Sequence, residues 1–328
     1  MKRLLFIAGI LLILIFSVAA FVFLPPAPLP VPTTSIAYPS YEAAIKDMAS
    51  FDTKEADLLR DECKSIVYST GKKESRSIVI FHGYTNCPKQ FAELGERLFK
   101  KGYNVIIPRT PGHGHSDRMT DALANVTFED FSEYIHRSVA IGNTIGDDVT
   151  ILGLSAGGTF ALWAALFEPN ADRFIAMAPV AYPRGFDPIL RNLVIRYAAL
   201  MPNEFKWWND EQKNTLDGPN YAYPRYSSRS MGIVLHMASE VESALHSGTH
   251  ASKVVGFVIN EHDPALLPDK LLEISNLFET SGAKMVRLLF KEKEKLPHDL
   301  IDEHNIKEHK EYVYSALLKF IDEVSKES

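Results

Sequence analysis

Two cysteines in 328 residues are too few for a disulfide-built scaffold. No long run of one charge is present, which excludes an electrostatic tail, and the formal charge of -6 argues against a nucleic-acid binder, which needs a basic face. The chain carries neither a G-x-G-x-x-G segment nor a phosphate-binding loop, so nothing in it asks for a cofactor. Glycine and proline, at 18 and 19 residues, fall short of a collagenous or low-complexity chain. What is present is a globular composition, 46% hydrophobic and 23% charged, sufficient for a sizeable core.

The first residues read as an address. Lys2 and Arg3 precede an apolar or small stretch from Leu4 to Leu24. As a helix it is about 31 Å long, close to a bilayer's hydrocarbon thickness. Residues 1–24 are therefore expected to be a membrane anchor with the following chain outside the cytoplasm, since the cations lie on the N-terminal side. The alternatives are a signal peptide cleaved after a small-residue site such as Val18-Ala19-Ala20, giving a secreted protein, or a buried core helix. Five prolines between Pro25 and Pro32 make residues 25–40 a stiff spacer. Export would place Cys63 and Cys87 in an oxidising compartment, where a disulfide is expected and two free thiols are the alternative.

From residue 41 to 328 short buried strands alternate with helices. Ser77–Phe81, Asn104–Pro108, Val149–Leu154, Phe174–Met177, Val254–Ile259 and Met285–Phe290 are apolar runs suited to strands covered on both faces. Helical spacing marks 88–101, 127–144, 157–167, 268–281 and 303–324. Such alternation predicts an α/β fold: a mostly parallel central sheet flanked by helices. Residues 183–249 interrupt it with helical patterning, Trp207-Trp208 and Tyr221, Tyr223 and Tyr226, and read as a helical cap insertion.

The chemistry gathers at strand ends. Gly153-Leu154-Ser155-Ala156-Gly157 lies where a strand meets a helix. A serine on so tight a turn needs tiny neighbours two residues away on each side, and the turn presents its hydroxyl at a helix N-terminus that favours negative charge. Upstream, His82-Gly83-Tyr84 closes the first buried strand, and the backbone N–H groups of Tyr84 and Ala156 are the candidate oxyanion donors. The His82 side chain itself reads as structural. His113 and His115 flank Gly114, but no carboxylate or cysteine at ligand spacing accompanies them, so they read as a supporting turn and no metal is expected.

His82-Gly83-Tyr84, Pro108–Arg118 (PRTPGHGHSDR) and Gly153–Gly158 (GLSAGG) together resemble the α/β-hydrolase superfamily, in particular its serine esterase and monoacylglycerol-lipase-like branch. The resemblance runs from about Ser77 to the C-terminus, less the insertion. It implies the order serine, acid, histidine, each following a strand. Asp263 and His298 occupy the matching positions, with Glu261 as a rival acid and His304 and His309 as rival bases in the final helix. The implied activity is cleavage of a small-molecule carboxylic ester through Ser155, His298 and Asp263 and an acyl-enzyme. Acyltransferase, thioesterase or peptidase chemistry on the same fold, or a non-catalytic membrane-anchored binding protein, are the alternatives.

Overall fold

The computed structural model describes residues 2–31, 36–168, 170–171, 173–185, 187–213, 218–251 and 253–327. Residues 32–35 of the expected 25–40 spacer lie outside the described residues.

Seven strands form the central sheet: β1 (Ile66–Tyr68), β2 (Glu74–Phe81), β3 (Asn104–Ile107), β4 (Gly146–Leu154), β5 (Arg173–Met177) and, later in the chain, Val254–Asn260 and Lys284–Phe290. A two-stranded pair, β6 (Phe205–Trp207) and β7 (Arg225–Ser227), lies between them in sequence, so the last two sheet strands are β8 and β9. The spatial order is β1-β3-β2-β4-β5-β8-β9. All neighbours run parallel except β1, which pairs antiparallel with β3. The expected strands are all found, most of them lengthened by one to three residues at polar ends. Thus β2 begins at Glu74, because pairing with Gly146 extends past its apolar stretch. The last five residues of β2 and all of β8 are buried, as a sheet covered on both faces requires.

The helices are α1 (Lys2–Phe23), α2 (Tyr41–Thr53), α3 (Ala92–Lys100), α4 (Phe128–Ile145), α5 (Ala156–Phe167), α6 (Arg191–Leu200), α7 (Ser228–His246), α8 (Pro268–Thr280), α9 (Glu303–Ile306) and α10 (Lys310–Lys326). Thr127 begins α4 with a capping box: its hydroxyl accepts from the Asp130 N–H while the Asp130 carboxylate accepts from the Thr127 N–H. The final helix expected over 303–324 is two helices. Asp302 caps the short α9, and α10 starts afresh after His309, so His304 and His309 sit on different elements.

Phe81, at the end of β2, packs its ring against Tyr134 of α4 (5.2 Å between centroids) and Phe160 of α5 (6.2 Å). This buried aromatic cluster fixes the strand end from which residues 82–84 depart.

The insertion contains α6, the β6–β7 pair, α7 and short tight helical turns. The strand pair is a feature that helical patterning did not foresee. It is only three residues deep and half-buried, so it leaves no periodic signal. Helix α7 also packs on α5 and α8, so it covers the sheet as well as bordering the cap.

Helix α1 carries exposed apolar side chains, Phe6, Ile13 and Phe16 among them. Among the described residues no helix is long and apolar enough to cross a membrane. In α1 the side chains of residues 3–5, 8 and 18 are outside that set, so the anchor reading still rests on the sequence. The end of the leader lies against the cap. Arg196 of α6 donates to the carbonyls of Phe21, Leu24 (3.1 Å) and Pro25 (3.0 Å), and its guanidinium stacks on the Phe21 ring. From α7, Glu240 accepts from the Leu29 N–H at 2.8 Å, and His236 Nε2 bonds the Ala27 carbonyl at 3.0 Å.

Candidate active site

Ser155 stands between β4 and α5 with φ 59° and ψ -118°, a left-sided conformation rarely adopted by a residue with a side chain. Crowding explains its glycine neighbours. A Cβ on Gly157 would lie 2.1 Å from the Phe81 carbonyl oxygen, and one on Gly153 would lie 2.0 Å from the carbonyl oxygen of Gly157. The turn is held further by the Ser155 N–H donating to the Met177 carbonyl (2.9 Å) and by the Val180 N–H donating to the Ser155 carbonyl (3.2 Å).

The structure brings the three residues of the expected relay together. His298 Nε2 lies 2.9 Å from Ser155 Oγ, and His298 Nδ1 lies 2.8 Å from Asp263 Oδ2. With a proton on Nδ1 facing the carboxylate, Nε2 accepts the serine hydroxyl. Asp263 is 1% exposed. Its Oδ1 accepts from the Ala265 and Leu266 N–H groups (2.8 and 3.0 Å), and Arg184 Nε donates to its carbonyl. Buried Asn260, the last residue of β8, donates to the Leu296 and Pro297 carbonyls and so ties the acid's strand to the histidine's loop. Burial alone would lower the His298 pKa. The Asp263 hydrogen bond and the charges of Asp263 and Asp299 outweigh it and raise the pKa above the ordinary imidazole value. The His298 side chain keeps 22% of its surface.

The rival residues fall elsewhere. Glu261 faces outward, paired with Lys291 Nζ at 2.8 Å and accepting from the Glu292 N–H. His304 lies on α9 and His309 caps α10. His82 is 1% exposed; its Nδ1 donates to the Gly83 carbonyl and its Nε2 accepts from the Thr110 N–H (3.1 Å), which leaves no free nitrogen. Desolvation holds it well below the usual imidazole pKa, so it is a neutral brace between two loops. His113 stacks near Tyr223 and is pushed down to about 4, chiefly by burial. His115 bonds Glu55 and Thr120. Among the described residues no group of three or more His, Cys, Asp or Glu could hold a metal ion.

Ala156 opens α5, so its N–H belongs to the first turn, which has no intrahelical acceptor. Tyr84 leaves the end of β2, which the close approach of Gly157 brings against that same turn. Tyr84 and Ser155 line one cavity of about 490 Å³, together with His298. Val194, Ala198, Met231, Leu235 and Leu266 make one side of it apolar, while Asn86, Arg118 and Asp299 supply polar groups. An open cleft of similar size (about 510 Å³), between Tyr221 and Lys310, holds neither Ser155 nor His298.

Cap and oxyanion loop are joined. Thr85 (φ 64°) accepts from the Trp208 indole N–H at 2.8 Å, and its carbonyl accepts from the Tyr223 N–H at 2.8 Å. Cys63 and Cys87 form a disulfide, which fastens the chain just beyond this loop to residues 61–63. The sequence marks Trp208 only as part of the aromatic insertion, and it marks none of Thr85, Asn86, Gln90 and Asp299. Their partners are remote in the chain, and no motif marks them.

Comparison with known proteins agrees with this architecture. Residues 76–235 match the model of the alpha/beta hydrolase fold family. A 94-residue stretch is 31% identical to the thermostable monoacylglycerol lipase of Bacillus sp. (strain H-257), covering 28% of this chain and 36% of that protein; the chain thus matches about a third of the length of this curated relative. Among solved structures, a metagenome-derived lipolytic enzyme superposes with a TM-score of 0.59 at 18% identity, over 81% of this chain and 99% of that one. A soluble variant of the Saccharomyces cerevisiae monoglyceride lipase, bound to a substrate analog, gives 0.60 at 14% identity, over 79% and 90%. The Paleococcus ferrophilus monoacylglycerol lipase gives 0.59 at 15%, over 80% and 98%. With its parallel sheet, its serine turn and these likenesses, the chain has the α/β-hydrolase fold and resembles the monoacylglycerol-lipase branch of that superfamily.

Proposed function

We propose that the protein is a serine hydrolase that cleaves small carboxylic esters, monoglyceride-like esters among them. The observation that carries this reading is the hydrogen-bonded line Ser155–His298–Asp263 at the wall of a largely apolar cavity. Ser155 Oγ attacks the ester carbonyl as His298 Nε2 takes its proton. The carbonyl oxygen becomes an oxyanion facing the Tyr84 and Ala156 N–H groups, and the pair Asp263–imidazolium balances the developing charge. Collapse expels the alcohol, which leaves with the proton from His298. A water then gives its proton to His298 and attacks the acyl-enzyme, and the carboxylic acid departs as Ser155 recovers its hydrogen. The apolar side of the cavity suits an acyl chain and the polar groups near Asn86 suit the alcohol.

The leader is proposed to tether this domain to a membrane with the site outside the cytoplasm. The cations preceding an apolar run support that orientation, and the Cys63–Cys87 bond is in keeping with an oxidising compartment.

The test is hydrolysis of p-nitrophenyl esters of increasing chain length by the full chain and by Ser155→Ala, with fluorophosphonate labelling alongside. Loss of about 10³-fold or more in the variant, with labelling confined to the wild type, is expected. A folded wild type as inert as the variant would overturn the proposal.

A further inference from the structure

Gln90 stands outside the relay, yet its side chain lies between the two loops that must be in register for the relay to work. It is 4% exposed, in the turn that follows Cys87. Its Oε1 accepts from the Gly83 N–H at 2.8 Å, one residue before the Tyr84 donor. Its Nε2 donates to Asp299 Oδ2 at 2.7 Å, one residue after His298. Asn86 donates to the same oxygen at 3.3 Å, and Asp299 Oδ1 accepts from the Ile301 and Asp302 N–H groups (3.1 and 3.0 Å).

Resting on the hydrolase reading above, we infer that Gln90 is a positioning residue whose amide sets the distance between the oxyanion donors and the general base. The chemistry of the amide is what suits it. One planar group presents an acceptor to a backbone N–H on one side and a donor to a carboxylate on the other. A carboxylate in its place keeps the first bond and replaces the second with two like charges face to face. Methionine keeps the approximate volume and makes neither bond. The bridge cannot slide, because Asp299 is held at both oxygens. Gly83 and the Gln90 amide lie in close contact, since a Cβ built on Gly83 would sit 3.4 Å from it. The Gln90 N–H donates to the Cys87 carbonyl, so the turn carrying the bridge is also fastened by the disulfide.

A placement error of 1 Å in such a site costs about 100-fold in rate, which sets the scale of the test. Gln90→Glu, Asp299→Asn, the double variant and Gln90→Met are compared with the wild type on p-nitrophenyl butyrate, each with a thermal melt. Gln90→Glu and Gln90→Met are expected to lose about 10- to 100-fold in kcat with KM within about threefold, since the bridge places reacting groups and does not hold substrate. In the double variant the carboxylate introduced at position 90 accepts from the Gly83 N–H and from the amide introduced at position 299, so both bonds of position 90 return, the second with its polarity reversed, and only the longer Asn86 contact of 3.3 Å is lost. Recovery to within about fivefold of the wild type is expected. Loss of a merely structural glutamine would lower the melting temperature and leave the kcat of the folded variants unchanged. Gln90→Met and Gln90→Glu within about threefold of wild-type kcat would overturn the inference, as would a double variant no better than Gln90→Glu at equal melting temperature. If Gln90→Glu fails to fold, Gln90→Met and the double variant decide alone. If the wild type turns over no faster than Ser155→Ala, ester hydrolysis falls; the fluorophosphonate labelling rate of Ser155 then carries the same comparison. Absence of labelling refutes both readings together.

Discussion

Replacing Asp263 with asparagine exchanges one oxygen for an amide nitrogen and reverses a proton. In the native site Asp263 Oδ1 is committed to the Ala265 and Leu266 N–H groups, and Oδ2 faces His298 Nδ1 at 2.8 Å. An asparagine must keep its oxygen toward the two backbone donors, so its NH₂ is turned to the imidazole. It then donates to Nδ1, the ring's proton moves to Nε2, and that nitrogen can no longer accept from Ser155 Oγ, 2.9 Å away. The wrong tautomer in a relay of this kind costs about 10⁴-fold in kcat, or about 5 kcal/mol of barrier. KM should hardly move, because the side chain is buried behind the histidine. The assay is steady-state turnover of a p-nitrophenyl ester by Asp263→Asn, with Glu261→Gln as the control and melting temperatures for both. Glu261 pairs with an exposed lysine, so its loss should change kcat less than about twofold. Asp263→Asn within about tenfold of wild type, or Glu261→Gln inactive while folded, would refute the tautomer argument and the assignment of the acid.

Two further expectations follow from the site. His298 must be neutral to accept the Ser155 proton, and its pKa is raised, burial being outweighed by Asp263. The acidic limb of kcat/KM should therefore fall above the value of about 6.5 for an ordinary imidazole, and a limb centred well below about 6 counts against this electrostatic account. The Cys63–Cys87 bond closes a 24-residue separation, worth about 3 kcal/mol in unfolded-chain entropy. Cys63→Ser/Cys87→Ser should melt about 4–5 °C lower than the oxidised wild type by calorimetry, and an unchanged melting temperature would contradict the estimate.

How much of this could be read from the sequence depended on how local the cause was. Ser155 was legible because its turn demands Gly153 and Gly157 in the chain itself, and the structure shows the backbone contacts that forbid anything larger. Asp263 and His298 were placed by the order of strand ends and by resemblance, and they meet across a separation of 35 residues. The buried strands were visible as apolar runs. The three-residue strands β1, β6 and β7 were not, since half-buried stretches of that length have no periodicity. Helix α2 went unread because the 41–53 segment has only two buried residues, Ala44 and Met48, and a correspondingly faint apolar stripe. The break between α9 and α10 is made by the turn at His309, inside a pattern that looks continuously helical. Gln90 was invisible for a different reason: Gly83 is seven residues away and Asp299 lies 209 residues on, so only the folded chain places one amide between them.

The grip of α6 and α7 on the end of the leader gives the molecule a load path. Arg196, His236 and Glu240 all belong to the two helices that bear Ala198, Met231 and Leu235 of the cavity wall. None of the three belongs to a strand of the sheet. A pull or tilt applied to α1 is therefore delivered first to the two helices that wall the cavity holding Ser155, and through α7 to α5, on which it packs. The leader is thus coupled to the shape of the pocket.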